Sequence, residues 1–370
     1  MRQKAAVLNS TSPYLSILLQ VIVIFLLQQV LNSCKKASTV VISPPVKDSA
    51  NIYIAGSGVS TSTMLPVAQY WLNGSPVVVS DGTQNESACA LYVSGTDVYL
   101  AGNVTAPFNI NLFPNTHAKY WKNGNPTVIN DSTSQATSLA VSGSDVYVAG
   151  KTGQVPFPGI AAYWKNGNLV KLTDGTNSAI AYGIAVAGID VYVAGIELNP
   201  INHVNVAKVW KNGVATSLSS GTDIATASAI FLSGSDVYVL GTEQDPATQI
   251  YVAKYWKNGV SVNVSDGTNT AFATSIFVFG SDVYVSGMEK NPVTGFFDAK
   301  YWKNGTEINL SPGSAIMDAT TSSIFVFEDD VYVAGTDAGG LPTYWKNGQA
   351  VNFSTSQSET ATAVFITKKP

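Results

Sequence analysis

Four acidic side chains recur at one place in a repeating pattern. Glu197, Glu243, Glu289 and Asp337 each stand two residues after the glycine that closes an Asp-Val-Tyr-Val segment, and the first three continue as Glu-Leu-Asn-Pro, Glu-Gln-Asp-Pro and Glu-Lys-Asn-Pro. The equivalent residues elsewhere in the pattern are Gly58, Val104 and Thr152. Carboxylates gathered on one side of a site suit a cation, an amine-bearing ligand or a polyhydroxyl ligand, and carboxylate pairs alone suffice to cleave glycosides. The competing reading is repeat duplication that preserves a solvated turn.

The other reactive residue types are scarce. His117 and His203 are the only histidines, both in long loops of non-adjacent repeats. That is too few and too scattered for a histidine-based metal site or a Ser-His-Asp arrangement. Nothing points to a cofactor, and a metal is left open. Arg2 is the only arginine, so the body of the chain has no guanidinium for bidentate clamping of phosphate, sulfate or carboxylate. Of the two cysteines, Cys89 lies in an apolar run and reads as a small buried hydrophobe, with no disulfide framework. The Asp-Gly-Thr triplets at 81, 174 and 266 read as loop punctuation rather than calcium ligands.

A second pairing of charges is written in the repeats. Asp97, Asp145, Asp190, Asp236, Asp282 and Asp330 open one segment, and Lys122, Lys165, Lys211, Lys257, Lys303 and Lys346 close the next. One repeat has lost both together, with Asn51 and Leu72. Antiparallel neighbours would bring each such aspartate beside its lysine, giving six exposed ion pairs.

The elements that must hold these residues are short strands. The tyrosines of the Asp-Val-Tyr-Val run fall at 53, 99, 147, 192, 238, 284 and 332, a period near 46. The chain's seven tryptophans, 71, 121, 164, 210, 256, 302 and 345, sit in a Tyr-Trp-Lys-Asn-Gly run. A short alternating run such as 260–264 follows, then an apolar run such as 275–279. Each is β-branched or aromatic and bounded by turn residues. Asn-Gly is a two-residue hairpin signal, and Ser-Gly-Ser-Asp is a second tight join. Four strands per repeat at this period predict an all-β fold: a seven-bladed β-propeller of four-stranded antiparallel blades. A β-prism or an open array of hairpins is the runner-up. With the apolar run innermost, the chain starts at a second strand (51–56) and ends at a first strand (361–367). The ring would then close by pairing the C-terminal strand with the N-terminal blade, which removes two free edges. The tryptophans then fall between blades as packing rather than as sugar platforms. The blades resemble those of NHL-type propellers, in which an apolar run and a short turn precede a Val-Tyr-Val-like strand. That resemblance carries no activity. The arginine triad and Asp-boxes of sialidase-like propellers are missing.

One face would carry the near-identical tight turns. The other would carry the crossovers and the variable loops 103–117, 151–159, 196–205, 242–250, 288–297 and 336–341. Loops on a rigid scaffold are where function concentrates, and the four acids are expected there as an arc beside the channel mouth.

Composition and the N-terminus bound the setting. Charged residues make up 12% of the chain, about half the usual quarter. The net charge of −4 already includes Arg2 and Lys4, so the body is acidic and unsuited to nucleic acid. Residues 1–33 read as a signal peptide: a basic start, an apolar stretch over 14–30, then Leu31-Asn32-Ser33-Cys34. This resembles the lipobox of bacterial lipoproteins, and Cys34-Lys35-Lys36 looks like lipoproteins of Bacteroidetes. The resemblance implies that Cys34 is acylated, palmitate included, and becomes the mature N-terminus, with 34–50 as a linker and 51–370 as the propeller. Lys35 in place of aspartate favours the outer membrane, with periplasmic or surface display open. An uncleaved membrane anchor is the alternative. The sequence thus suggests a monomeric, non-enzymatic, lipid-anchored protein that binds an envelope protein or glycan. An outer-membrane assembly factor, or a polysaccharide hydrolase or lyase using the loop carboxylates, are the competing functions.

Overall fold

The computed structural model describes residues 50–105, 116–129, 133–153, 159–311 and 317–369. Cys34, the apolar stretch 14–30 and parts of loops 103–117 and 151–159 lie outside them. The described residues form seven four-stranded antiparallel sheets, the blades of a β-propeller. Blade 1 combines the C-terminal strand (Ala363–Lys368) with three strands starting at Ala50, and blades 2 to 7 follow in chain order. The C-terminal strand pairs antiparallel with Ala50–Val59, setting Phe365 opposite Tyr53. Inner to outer, each blade runs apolar strand, Asp-Val-Tyr-Val strand, tryptophan strand and a four-residue exposed strand.

The inner strands of blades 2 to 7 (Asn85–Ser94, Gln135–Ser142, Ala179–Ala187, Ala225–Ser233, Ala271–Phe279 and Thr320–Phe327) each contain one β-bulge against the second strand. The extra residues are Cys89, Thr137, Tyr182, Ser228, Thr274 and Ser322, and Thr362 holds the same place in blade 1. The bulge brings an inner-strand carbonyl hard against the second strand. A Cβ on Gly102 would lie 1.9 Å from the Ser87 carbonyl oxygen, and one on Gly241 1.8 Å from that of Thr226. Only glycine fits, which is why every Asp-Val-Tyr-Val strand carries one at this point.

The bulged side chains stitch the ring together. Thr362 donates to Ala55 in its own blade (3.1 Å) and is 3.0 Å from the Ala88 carbonyl of the next. The Thr137 hydroxyl likewise bridges the Ala149 and Ala181 carbonyls, and that of Ser228 the Leu240 and Ala273 carbonyls. Thr274 meets Thr321 of blade 7, and Ser322 donates to Ala361 of blade 1. Cys89 takes the same place, its Sγ 3.4 Å from the Ala136 carbonyl. Blade 4 departs from the series with Tyr182, which lines the axial cavity. Three residues further along the inner strands, Tyr92, Phe365, Phe325, Phe277 and Phe231 form an unbroken arc of rings with centroids 4.7–5.2 Å apart.

Farther from the axis, each tryptophan, 1–2% exposed, enters a socket on the preceding blade. Trp121 packs with Tyr53, Ala55 and Ala68 of blade 1, Trp302 with Tyr238, Leu240 and Ala253 of blade 5, and Trp71 with Tyr332 and Ala334 of blade 7. The tryptophans are therefore packing residues, as the repeat pattern suggests.

Deleting residues 361–370 removes the inner strand of blade 1, the Thr362 bridge and one ring of the aromatic arc. The expected outcome is loss of the single cooperative thermal transition. A truncated chain that melts within about a degree or two of the parent, a shift worth only about 1 kcal/mol in a ring of this size, would contradict this closure.

Candidate functional site

The two faces of the ring are built on different rules. On the tight-turn face, all six expected ion pairs form: Asp97–Lys122 at 2.8 Å, Asp145–Lys165 at 2.7 Å, Asp190–Lys211 at 2.9 Å, Asp236–Lys257 at 2.8 Å, Asp282–Lys303 at 2.8 Å and Asp330–Lys346 at 3.0 Å. Each lysine also stands 5.1–5.3 Å from the centroid of its neighbouring tyrosine ring. The asparagine of the Asn-Gly turn completes the motif. Asn123, at φ 51°, donates from its side chain to Asp97 (2.7 Å) and accepts the Val98 N–H (2.8 Å). The lysine and then the asparagine hold the carboxyls of Asp97, Asp145, Asp190, Asp236 and Asp282 below the ordinary aspartate value. In blade 1, where Asn51 and Leu72 replace the pair, Asn73 donates to Asn51 instead (3.1 Å). This face is nearly the same in every blade.

On the opposite face, blades 1, 4, 5 and 6 present one loop backbone with different side chains. Ser60, Asn199, Asp245 and Asn291 each donate their N–H to the carbonyl five residues on, and each accepts the N–H four residues on, at 2.8–2.9 Å. Their side-chain oxygens cap the turn: Asn199 accepts from Ile201 (3.0 Å), Asp245 from Ala247 and Thr248 (2.9 Å each), Asn291 from Val293 (2.9 Å) and Ser60 from Thr63 (3.3 Å). Met64, His203, Gln249 and Gly295 close the turns at positive φ, 58–78°. Asx-Pro in the repeats is thus a helix-like cap for a single turn. The tips diverge: Ile201 is 88% exposed, Val293 91% and Met64 73%, while blade 5 offers Ala247 and Thr248.

The three glutamates are not part of these loops. Glu197, Glu243 and Glu289 lie inside the second strands Asp190–Leu198, Asp236–Gln244 and Asp282–Lys290. Nor do they ring the channel mouth as expected: the axial cavity of about 420 Å³ is lined by inner-strand residues such as Thr137, Tyr182, Ser275 and Ser323, and by none of the four acids. Each glutamate turns outward across the strand glycine to a lysine on the tryptophan strand: Glu197 to Lys208, Glu243 to Lys254 (2.5 Å) and Glu289 to Lys300 (2.5 Å). Each of these lysines stands opposite the strand glycine, Gly195, Gly241 or Gly287, two residues before its glutamate. Asp337 is separate: its Oδ1 caps a shorter loop by accepting from Gly339 and Leu341 (2.9 Å each).

A fourth pair escaped the sequence reading. Lys119 bonds Glu86 (2.6 Å), which comes from the inner strand because Val104 holds the usual glutamate position. The signal was present two residues before the tryptophan: Lys119, Lys208, Lys254 and Lys300 each have an acid, whereas Gln69, Ala162 and Thr343 do not. In blade 1 the Gln69 amide covers Gly58, leaving no room there for even a Cβ (2.4 Å). Blade 6 is the most charged: Lys300 also meets Glu307 (2.9 Å), and Asp298, opposite Glu289, accepts from Asn291 (3.0 Å). Burial works against the Lys300 charge, but its bonds to Glu289 and Glu307 outweigh that and hold the ammonium above the ordinary lysine value.

The remaining candidates are structural. His117 belongs to the strand Thr116–Lys122 rather than to a loop, and His203 serves the blade 4 turn. The Cys89 thiol, though its residue borders the axial cavity, is pushed up to about 12 by burial. Asp81, Asp174 and Asp266 each accept from the backbone N–H and hydroxyl of the threonine two residues on, which is turn formation. Among the described residues no group of three His, Cys, Asp or Glu side chains is placed to hold a metal ion.

No protein-family model matches the chain, and no curated protein matches it. Similar solved structures include a puromycin-hydrolysing peptidase of Mycobacterium tuberculosis (11% identity, TM-score 0.47, covering 72% of this chain and 46% of that one) and an acylaminoacyl peptidase of Pyrococcus horikoshii (13%, 0.45, 78% and 49%). TolB of Acinetobacter baumannii is another (11%, 0.39, 64% and 61%). The chain spans about half the length of the two peptidases. At these identities the likeness concerns fold alone.

The two sets of lysines should respond differently to removal. K300M strands Glu289 without its cation, and breaking a buried pair from one side costs about 3–5 kcal/mol. K122M, at the exposed ring, should leave the denaturation midpoint close to that of the parent. Equal effects of the two substitutions in urea titrations would contradict the distinction.

Proposed function

We propose that this chain is a non-enzymatic binding protein of the bacterial cell envelope, held at the outer membrane by acylated Cys34, that recognises an envelope component through its loop face. One observation carries the reading. Four blades hold an identical capped turn at the same place while its exposed residues change from blade to blade, which is how a rigid scaffold displays a recognition surface. The opposite face, with the same Asp-Lys-Asn-Tyr motif in six blades, offers no comparable variety. Acylation of Cys34 rests on the Leu31-Asn32-Ser33-Cys34 motif, and Lys35 supports the outer-membrane address. A propeller that assists outer-membrane protein assembly would fit the same anchor, but would use outer-strand edges. Pro76 and Pro126 stand in two of those edges, where they remove donors for strand pairing.

Photo-crosslinking amino acids at Ile201 and Val293, and at Ile189 on the tight-turn face, test the assignment in native envelopes. Discrete adducts are expected from the two loop tips and not from Ile189, and C34A should release the protein from the membrane fraction and abolish the adducts. Adducts from Ile189 alone, or membrane attachment of C34A with an intact N-terminus, would overturn the reading.

A further inference from the structure

The ion pairs of blades 4 and 5 open onto clefts, and they are not saturated. Glu197 and Lys208 border a cleft of about 430 Å³ with Pro200, Val206 and Ser217, and Glu243 and Lys254 border one of about 230 Å³ with Pro246, Val252 and Asn263. The two are the same site one repeat apart. In each, the lysine makes a single bond to a protein side chain, although an ammonium carries three donors and a carboxylate accepts at both oxygens. Spare donors and spare acceptors thus stand side by side in clefts whose mostly polar lining also includes one proline and one valine each.

Blade 6 shows what a closed version looks like. There Asp298 replaces the lining valine, and Glu307 takes a second donor of Lys300. An unsaturated pair is therefore not a requirement of the fold; the Glu86–Lys119 pair of blade 2 is also unsaturated, but its glutamate is buried, whereas those of blades 4 and 5 border clefts.

The pairing also selects the ligand. A free carboxylate arc would draw cations or amines, but each glutamate here already has its ammonium. In blade 4 what remains is a donor–acceptor couple without net charge, and in blade 5 the carboxylates of Asp223 and Asp245 add further acceptors to it; both arrangements match adjacent hydroxyls on a ring. A 430 Å³ cleft lies within the range of about 300–1,000 Å³ typical of small-molecule sites, and the 230 Å³ one just below it. We propose that these clefts are two consecutive subsites for a neutral glycan, each holding one sugar unit by vicinal hydroxyls. The inference rests on the loop face being the binding face, and names its ligand class.

Calorimetric titration of the whole protein with cellohexaose, maltohexaose, mannohexaose and chitohexaose, and with hexagalacturonate as an anionic control, tests it. The parent should bind at least one neutral hexasaccharide. The double substitution K208M/K254M should weaken that binding at least about tenfold, the equivalent of one lost charge-assisted hydrogen bond. Because those lysines also contribute to folding, S217W/N263W provides a second arm: both residues are exposed on outer strands, so filling the clefts from there should abolish binding with the melting temperature unchanged. No binding of any neutral hexasaccharide, binding of hexagalacturonate alone, or full affinity in S217W/N263W would overturn the proposal. Protein adducts persisting at Ile201 and Val293 in that event would leave the loop face as a binding face without the glycan.

Discussion

Everything in this molecule depends on how closely seven inner strands approach one another. At the axis there is little room between blades: the inner strands take a bulge there, and six of the seven turn a small hydroxyl or thiol into the seam, blade 4 placing Tyr182 at the axial cavity instead. Thr362, Cys89, Thr137, Ser228, Thr274 and Ser322 each reach the next blade. The bulge in turn forces a glycine into the second strand, because the inner carbonyl lies where a Cβ would be. Two residues past that glycine stand Glu197, Glu243 and Glu289, each meeting the lysine paired opposite the glycine. Farther out the blades diverge, and the space between them is wide enough to need a tryptophan in each socket. A single geometric demand thus fixes side-chain size along the radius, from hydroxyl to indole.

The fold was legible because its signals are local and repeated. The Asp-Val-Tyr-Val and Tyr-Trp-Lys-Asn-Gly runs announce strand and turn within a few residues, and the joint loss of Asp and Lys at Asn51 and Leu72 announced a contact between strands. The candidate site was less legible, for a physical reason. Placing Glu197 at the channel mouth assumed that residues after the strand glycine leave the sheet, whereas the strand continues and its alternation turns the carboxylate outward. The partner lysines were visible in the sequence, but Glu86 shows why the match was hard to make: the acid that serves Lys119 comes from a different strand. The bulge residues gave no local sign, since Cys, Thr, Ser and Tyr look unrelated until the seam shows the shared task of the small ones.

The two faces divide labour. Ion pairs, turn asparagines and tyrosine rings make the tight-turn side uniform, whereas the loop side keeps one backbone and lets its tips differ. A fold that tolerates exchange of exposed residues on a fixed turn can change its recognition without changing its core. The unsaturated Glu–Lys pairs of blades 4 and 5 lie beneath those same tips, so the loops and clefts form one continuous surface in these blades.

The central claim is that the seam makes the ring a single cooperative body closed by the C-terminal strand. Native-state hydrogen exchange across a denaturant series tests it most directly. The account predicts that inner-strand amides of Ala363–Lys368 merge with those of Asn85–Ser94 and Ala271–Phe279 into one global opening. Exchange of Ala363–Lys368 through a separate, lower-energy opening while the other inner strands stay protected would contradict it.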